Sequence, residues 1–118
     1  MRVEARPLEE LQGAYLVSVE GIVDSVNVTG FFQSVNRLFK EGARSLIMDL
    51  SEASYLSSGA LSVIADAFKK AEAMGGKVAL CGVSSAVMEL LQVVQFDRLF
   101  DFYPDTDAAV KDLAEMTS

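Results

Sequence analysis

Residues 46–61 read LIMDLSEASYLSSGAL, and the layout of the rest of the chain can be worked out from them. The apolar run 45–50 has the length and composition of a buried strand, with Asp49 near its end. Residues 51–58 are mostly polar and predict a loop. A helix is predicted next, because apolar side chains recur at helical spacing, at Leu61, Ile64, Ala65 and Phe68.

Two strands and a helix are predicted on the N-terminal side of this stretch. Residues 3–8 suit an edge strand that ends near a proline, and residues 14–20 are apolar and β-branched, so that the two form a hairpin. Residues 21–25 break the pattern, and Asp24 or Ser25 is expected to cap the following helix. That helix carries one apolar stripe, made of Val28, Phe31, Phe32, Val35, Leu38 and Phe39.

The C-terminal side adds two strands and two helices. Residues 77–81 predict a strand, and residues 82–85 predict a turn that caps a helix with apolar positions Val87, Leu90, Leu91 and Val94. Residues 99–103 predict a last short strand, and the final helix carries Ala109, Val110 and Leu113. Met88 and Val93 fall outside this apolar stripe. They either form an apolar rim for a partner or contact the final helix, and we prefer the contact with the final helix.

The predicted order of elements is β-β-α-β-α-β-α-β-α, which indicates an α/β fold. Strands that are joined through helices run parallel with right-handed crossovers. We therefore expect a single domain over residues 1–118, with a mostly parallel sheet of about five strands packed against about four helices. Because partner-facing chemistry gathers at the carboxyl ends of such strands, the loops 21–25, 51–58 and 82–85 are expected to lie together.

Composition excludes several classes of function. The chain of 118 residues contains no histidine, so a Ser-His-Asp or Cys-His catalytic site cannot form within it. Its net charge is −7, which disfavours binding to nucleic acid. The single cysteine, Cys81, cannot form an internal disulfide and is expected to be a small buried residue. Without a signal peptide or a membrane-spanning run in the sequence, the cytoplasm is the expected location, and no motif calls for a metal or cofactor.

The two serines before the second helix are the most informative polar residues. Ser57 is a good N-cap, which makes Ser58 the first helical residue. A phosphate on Ser58 would be favoured by the free N–H groups and the positive end of the helix macrodipole. The plainer interpretation is that both serines simply cap a helix.

The stretch 46–61 resembles the signature of STAS domains, of the type found in anti-sigma factor antagonists. In that signature an apolar strand ends in Asp, and a polar stretch and an aromatic or apolar pair then lead to Asp/Ser-Ser-small-Gly-Leu at the start of a helix. Further segments are similar to the family pattern, in the same order and at similar spacing, and extend the resemblance over nearly the whole chain: residues 21–24, 75–84, 96–100 and 108–109.

The resemblance implies a phosphorylation-switched binding protein and not an enzyme. In antagonists of this type, the serine that corresponds to Ser58 is phosphorylated by an anti-sigma factor serine kinase, and a PP2C-type phosphatase resets it. The unphosphorylated form binds the kinase and frees a sigma factor for transcription. The partner-binding residues implied for this chain are Asp24, Ser57, Ser58, Gly59 and Ser84.

Two other interpretations stay open from the sequence. Ser57 stands where well-studied antagonists carry Asp, and Gly59-Ala60 stands where a small residue followed by Gly is usual. A non-switching STAS component, which assembles into a stress-sensing scaffold or a transport complex, is therefore an alternative, and a homo-oligomer is compatible with either interpretation. A small-molecule or nucleotide-binding domain is the third interpretation, although no residue specifies a base or ribose contact.

Overall fold

A computed structural model describes residues 1–117, which form one five-stranded sheet with four α-helices around it. A short 3₁₀ helix, Phe96–Arg98, precedes the last strand. The strands are β1 (Arg2–Pro7), β2 (Ala14–Val23), β3 (Ser45–Leu56), β4 (Val78–Cys81) and β5 (Asp101–Tyr103). The helices are α1 (Val28–Lys40), α2 (Ser58–Ala73), α3 (Ser85–Val93) and α4 (Thr106–Thr117).

The strands lie in the order β1-β2-β3-β4-β5. β1 and β2 pair antiparallel as a hairpin, whereas the other three pairings are parallel. The predicted α/β architecture with a mostly parallel sheet is therefore confirmed. β1 and β5 are the two edges of the sheet, and β3 lies at its centre.

Helices cover both faces of the sheet, but unequally. Neighbouring residues of β3 point to opposite faces, so that Met48 joins the larger core, with α1, α2 and α3, while Ile47 joins a smaller core with α4. Cys81 is fully buried in the smaller core, as expected. The described part of the chain has no buried polar or charged side chain, so both cores are apolar.

Two strands are longer than the sequence predicts. β2 continues through the expected break to Val23, and β3 continues through the expected loop to Leu56, opposite Val23. The pairing shifts register between Ser18 and Glu20 and again beside Gly21, whose φ of +85° suits only a residue without a side chain. These irregularities interrupt the side-chain alternation that sequence reasoning depends on, although the backbone pairing continues.

The helix starts and apolar stripes also differ in places. α1 begins at Val28 after Asn27, so the expected cap at Asp24 or Ser25 is wrong. Phe32 and Val94, which were assigned to apolar stripes, are exposed. Val93 is 82% exposed, which contradicts the expected contact with the final helix, since α4 lies against the opposite face of the sheet from α3.

Candidate functional site

The candidate site lies where β2 and β3 end side by side. The backbone N–H of Ser57 donates to the carbonyl oxygen of Val23 at 2.9 Å, which ties the start of α2 to the end of β2. Gly59 packs against the start of α1, since a Cβ at this position would lie 3.4 Å from a methyl carbon of Val28. The first turn of α2 and the loop before α1 therefore form one continuous surface.

Ser57 caps α2, as the sequence predicts. Its backbone is extended, and its Oγ accepts a hydrogen bond from the N–H of Ala60 at 3.2 Å. Its carbonyl oxygen accepts the N–H of Leu61 at 3.0 Å, which is the first hydrogen bond of the helix. The side chain is half-buried and engaged in holding the helix start.

Ser58 is the first residue of α2 and is exposed. Its carbonyl oxygen accepts a hydrogen bond from Ser62 Oγ at 3.1 Å, but its own hydroxyl bonds to none of the described residues. No acidic side chain lies in the first turn, where the N–H groups of Ser58 and Gly59 precede the first helical hydrogen bond. The Ser58 hydroxyl therefore lies at the positive end of the helix macrodipole, which favours an anion attached at this position.

Asp24 holds the neighbouring loop in shape. One carboxylate oxygen accepts the N–H of Val26 at 3.0 Å, and the Asp24 N–H donates to Asn27 Oδ1 at 2.9 Å. The Asn27 side-chain nitrogen donates to the carbonyl oxygen of Ile22 at 2.9 Å. This network fixes the loop between β2 and α1, in which Val26 is exposed.

Three exposed apolar residues lie in the segments that lead into α1 and α2, and the sequence does not predict their exposure. Ile22 and Tyr55 face each other across β2 and β3 and are 51% and 45% exposed, while Val26 is 89% exposed. We call Ile22, Val26 and Tyr55 the apolar patch. The sequence carries a weak signal, since each is a large apolar residue in a short segment rich in polar or turn-forming residues, but loops at residues 21–25 and 51–58 would not pair Ile22 with Tyr55. Exposed apolar residues grouped together mark surfaces that bind partners.

Ser84 lies in a different setting. It caps α3, and its Oγ accepts the N–H of Val87 at 3.2 Å. β4 ends opposite Asp49, and a Cβ at Gly82 would lie 2.8 Å from the Cβ of Ser51, so this loop lies beside the middle of β3. Of the three segments that were expected to lie together, residues 21–25 and 51–58 do so. The loop of residues 82–85, which contains Ser84, lies further from the end of β3.

The acidic side chains at the site make local hydrogen bonds. Within residues 1–117, no group of three or more cysteine, aspartate or glutamate side chains is arranged to hold a metal ion. The Asp49 carboxylate accepts the N–H of Ser51, two residues further along β3, at 3.0 Å. None of the described helices combines the length and the apolar character needed to cross a bilayer.

Known proteins share this sequence pattern and fold. BtrV of Bordetella bronchiseptica, whose name assigns it provisionally as an anti-sigma factor antagonist, is 24% identical over 102 residues, which are 86% of this chain and 88% of BtrV. An anti-sigma factor antagonist from Mycobacterium paratuberculosis superposes with a TM-score of 0.83 at 22% identity, over 95% of this chain and 92% of that one. The Bacillus cell fate determinant SpoIIAA in its phosphorylated form superposes with a TM-score of 0.73 at 13% identity, over 93% of this chain and 98% of that one. The model of the STAS domain matches residues 5–109, and the chain belongs to that family.

Proposed function

We propose that the protein is an anti-sigma factor antagonist that binds an anti-sigma factor serine kinase and is released by phosphorylation of Ser58. One observation carries the proposal: an exposed serine hydroxyl, free of hydrogen bonds to the described residues, lies at the start of α2 beside the apolar patch. The family membership and the names of BtrV and the Mycobacterium protein support it.

A phosphate on Ser58 would change binding more than it changes the fold. It adds a charge of about −1.5 to −2 at a helix N-terminus, where the macrodipole and free N–H groups favour an anion. The domain should therefore stay folded. A partner that covers the apolar patch would have to desolvate that phosphate, which opposes binding.

The kinase and a PP2C-type phosphatase would supply the catalysis in this cycle. The kinase provides the ATP site and transfers the phosphoryl group to Ser58 Oγ, and the phosphatase removes it. This chain would provide the acceptor hydroxyl and the surface formed by Asp24, Ser57, Gly59 and the apolar patch. Its net charge of −7 would steer it towards a basic region on the kinase.

Phosphorylation can be tested with the purified cognate kinase, ATP and mass spectrometry. We expect one phosphate, located on Ser58, and no modification of the Ser58→Ala variant. Ser62→Ala is the matched control, because Ser62 is an exposed serine one turn further along α2 and should leave the modification unchanged. Phosphate on Ser57 or Ser62 alone, or none at all, would contradict the proposal.

Binding to the unphosphorylated protein can be tested by titration calorimetry with the same kinase. Ser58→Asp and Val26→Asp should each weaken the complex about tenfold or more, because each adds a charge to the surface that becomes buried. Val93→Asp is the control, since Val93 is also largely exposed but lies at the end of α3. A stable assembly that is indifferent to Ser58→Asp would favour the non-switching scaffold instead.

A further inference from the structure

The edge strand β1 has one charged face and one apolar face, and one of its two backbone edges is not paired with a described strand. Its residues are exposed apart from Val3, which packs partly against the larger core, and β2 is its only neighbour in the described sheet. Arg2, Glu4 and Arg6 alternate with Val3 and Ala5, so that one face of the strand is charged and the other apolar. A free edge of this kind exposes backbone N–H and C=O groups that can pair with another strand.

We propose that β1 pairs antiparallel with β1 of a second copy of this chain, in a register centred on Val3. In this register Val3 lies opposite Val3 of the second copy, and Met1 lies opposite its Ala5, on the apolar face. On the charged face, Arg2, which already pairs with Glu4 and Glu20 of its own chain, lies opposite Glu4 of the second copy, so that Arg2 and Glu4 of both copies form one ion-pair network. Opposite charges and apolar pairs directly across an antiparallel ladder both stabilise the pairing.

Other registers are less favourable for reasons that the sequence makes plain. Centring the pair on Glu4 places Glu4 opposite Glu4 and Arg2 opposite Arg6, which are repulsive pairs. Centring it on Ala5 brings Pro7, which has no N–H, into the ladder opposite Val3. A shift by one residue sets charged side chains against apolar ones. The pattern RVEARP is therefore self-complementary about Val3.

The assembly would be a continuous sheet of ten strands, five from each copy. Its two-fold axis stands perpendicular to the sheet, which places α1, α2 and α3 of both copies on the same face. The axis also makes the strands of one copy antiparallel to those of the other. The two Ser58 residues therefore lie at opposite ends of the assembly. Both sites stay accessible, and the inference holds or fails independently of the proposed function.

Cysteine cross-linking tests the register. Val3→Cys should form an intermolecular disulfide under mild oxidation, because directly opposite residues have Cα atoms about 4.5–5.5 Å apart, which is within the range that disulfides span. Glu4→Cys and Ala5→Cys serve as register controls and should cross-link poorly, and the unmodified chain, whose Cys81 is buried, should not cross-link. Preferential cross-linking at Glu4 or Ala5 would overturn the proposed register.

Charge reversal tests the ion pairs, with sedimentation equilibrium as the measurement. The unmodified protein should dimerise at high micromolar concentration, and less at high salt. Glu4→Arg and Arg2→Glu should each raise the dissociation constant about tenfold, and the double variant, which swaps the charges, should restore it. A chain that stays monomeric throughout, or a dimer that the double variant does not restore, would overturn the proposal.

Discussion

Ser57 and Ser58 are adjacent in sequence but have separate roles in the structure. The Ser57 side chain turns back to the helix backbone, where its Oγ accepts the Ala60 N–H, while Ser58 turns outwards. An N-cap hydroxyl that is already engaged and half-buried is a poor acceptor for a kinase. The geometry therefore favours Ser58 for modification and assigns Ser57 to stability.

Removing the Ser57 cap should destabilise the protein without touching the core. Ser57→Ala leaves the Ala60 N–H without its partner, and we expect the free energy of unfolding to fall by about 1 kcal/mol. Urea denaturation followed by circular dichroism measures the change. Ser57→Asp is the control, because aspartate caps as well as serine does and adds a favourable charge at the helix start. Equal stability of the alanine and aspartate variants would show that the cap contributes nothing.

At the scale of elements, a hydrogen bond between two side chains fixes α4 to β5. Tyr103 Oη donates a hydrogen bond to an Asp112 carboxylate oxygen, which joins the last strand to the middle of the last helix. Burial raises the pKa of Tyr103, and this hydrogen bond raises it further. The proton on Tyr103 is therefore held more strongly in the folded protein than in the unfolded chain.

This linkage predicts how stability changes at alkaline pH. The contribution of Tyr103 is fully present below its unfolded pKa of about 10 and is lost as the pH rises above that value. Tyr103→Phe should lower the free energy of unfolding by about 0.5–1.5 kcal/mol at neutral pH, and the difference between the two proteins should shrink above pH 10. Denaturant unfolding at several pH values measures both. A difference that grows with pH would contradict the assignment.

Elements with strong local signals could be predicted from the sequence, and those set by pairing between strands could not. The cap at Ser57 and the capping turn at residues 82–85 could be predicted because a cap depends only on the residues that follow it. The extension of β3 from Ser51 to Leu56 was missed because its polar side chains face solvent, while β2 supplies the backbone partner. The apolar patch was missed with it, since Tyr55 faces Ile22 only when both strands continue.

At the scale of the whole molecule, the central strand connects the two cores. β3 contributes Ile47 to the core under α4 and Met48 to the core under α1, α2 and α3. If β3 detached from either core, the apolar side chains of the other core would be exposed to solvent as well. We therefore expect the protein to unfold as one cooperative unit, although its helices lie on both faces of the sheet.

Cavities made in either core test this expectation. Ile64→Ala, in the core under α2, and Leu113→Ala, in the core under α4, should each lower the free energy of unfolding by about 2–5 kcal/mol, because both side chains are buried. Val93→Ala, at an exposed position, should change it by less than about 0.5 kcal/mol. In every variant, circular dichroism and tyrosine fluorescence should report the same single transition. If Leu113→Ala instead separated an early transition from a later one that it left unchanged, α4 and its core would be an independent unit, and the coupling through β3 would be wrong.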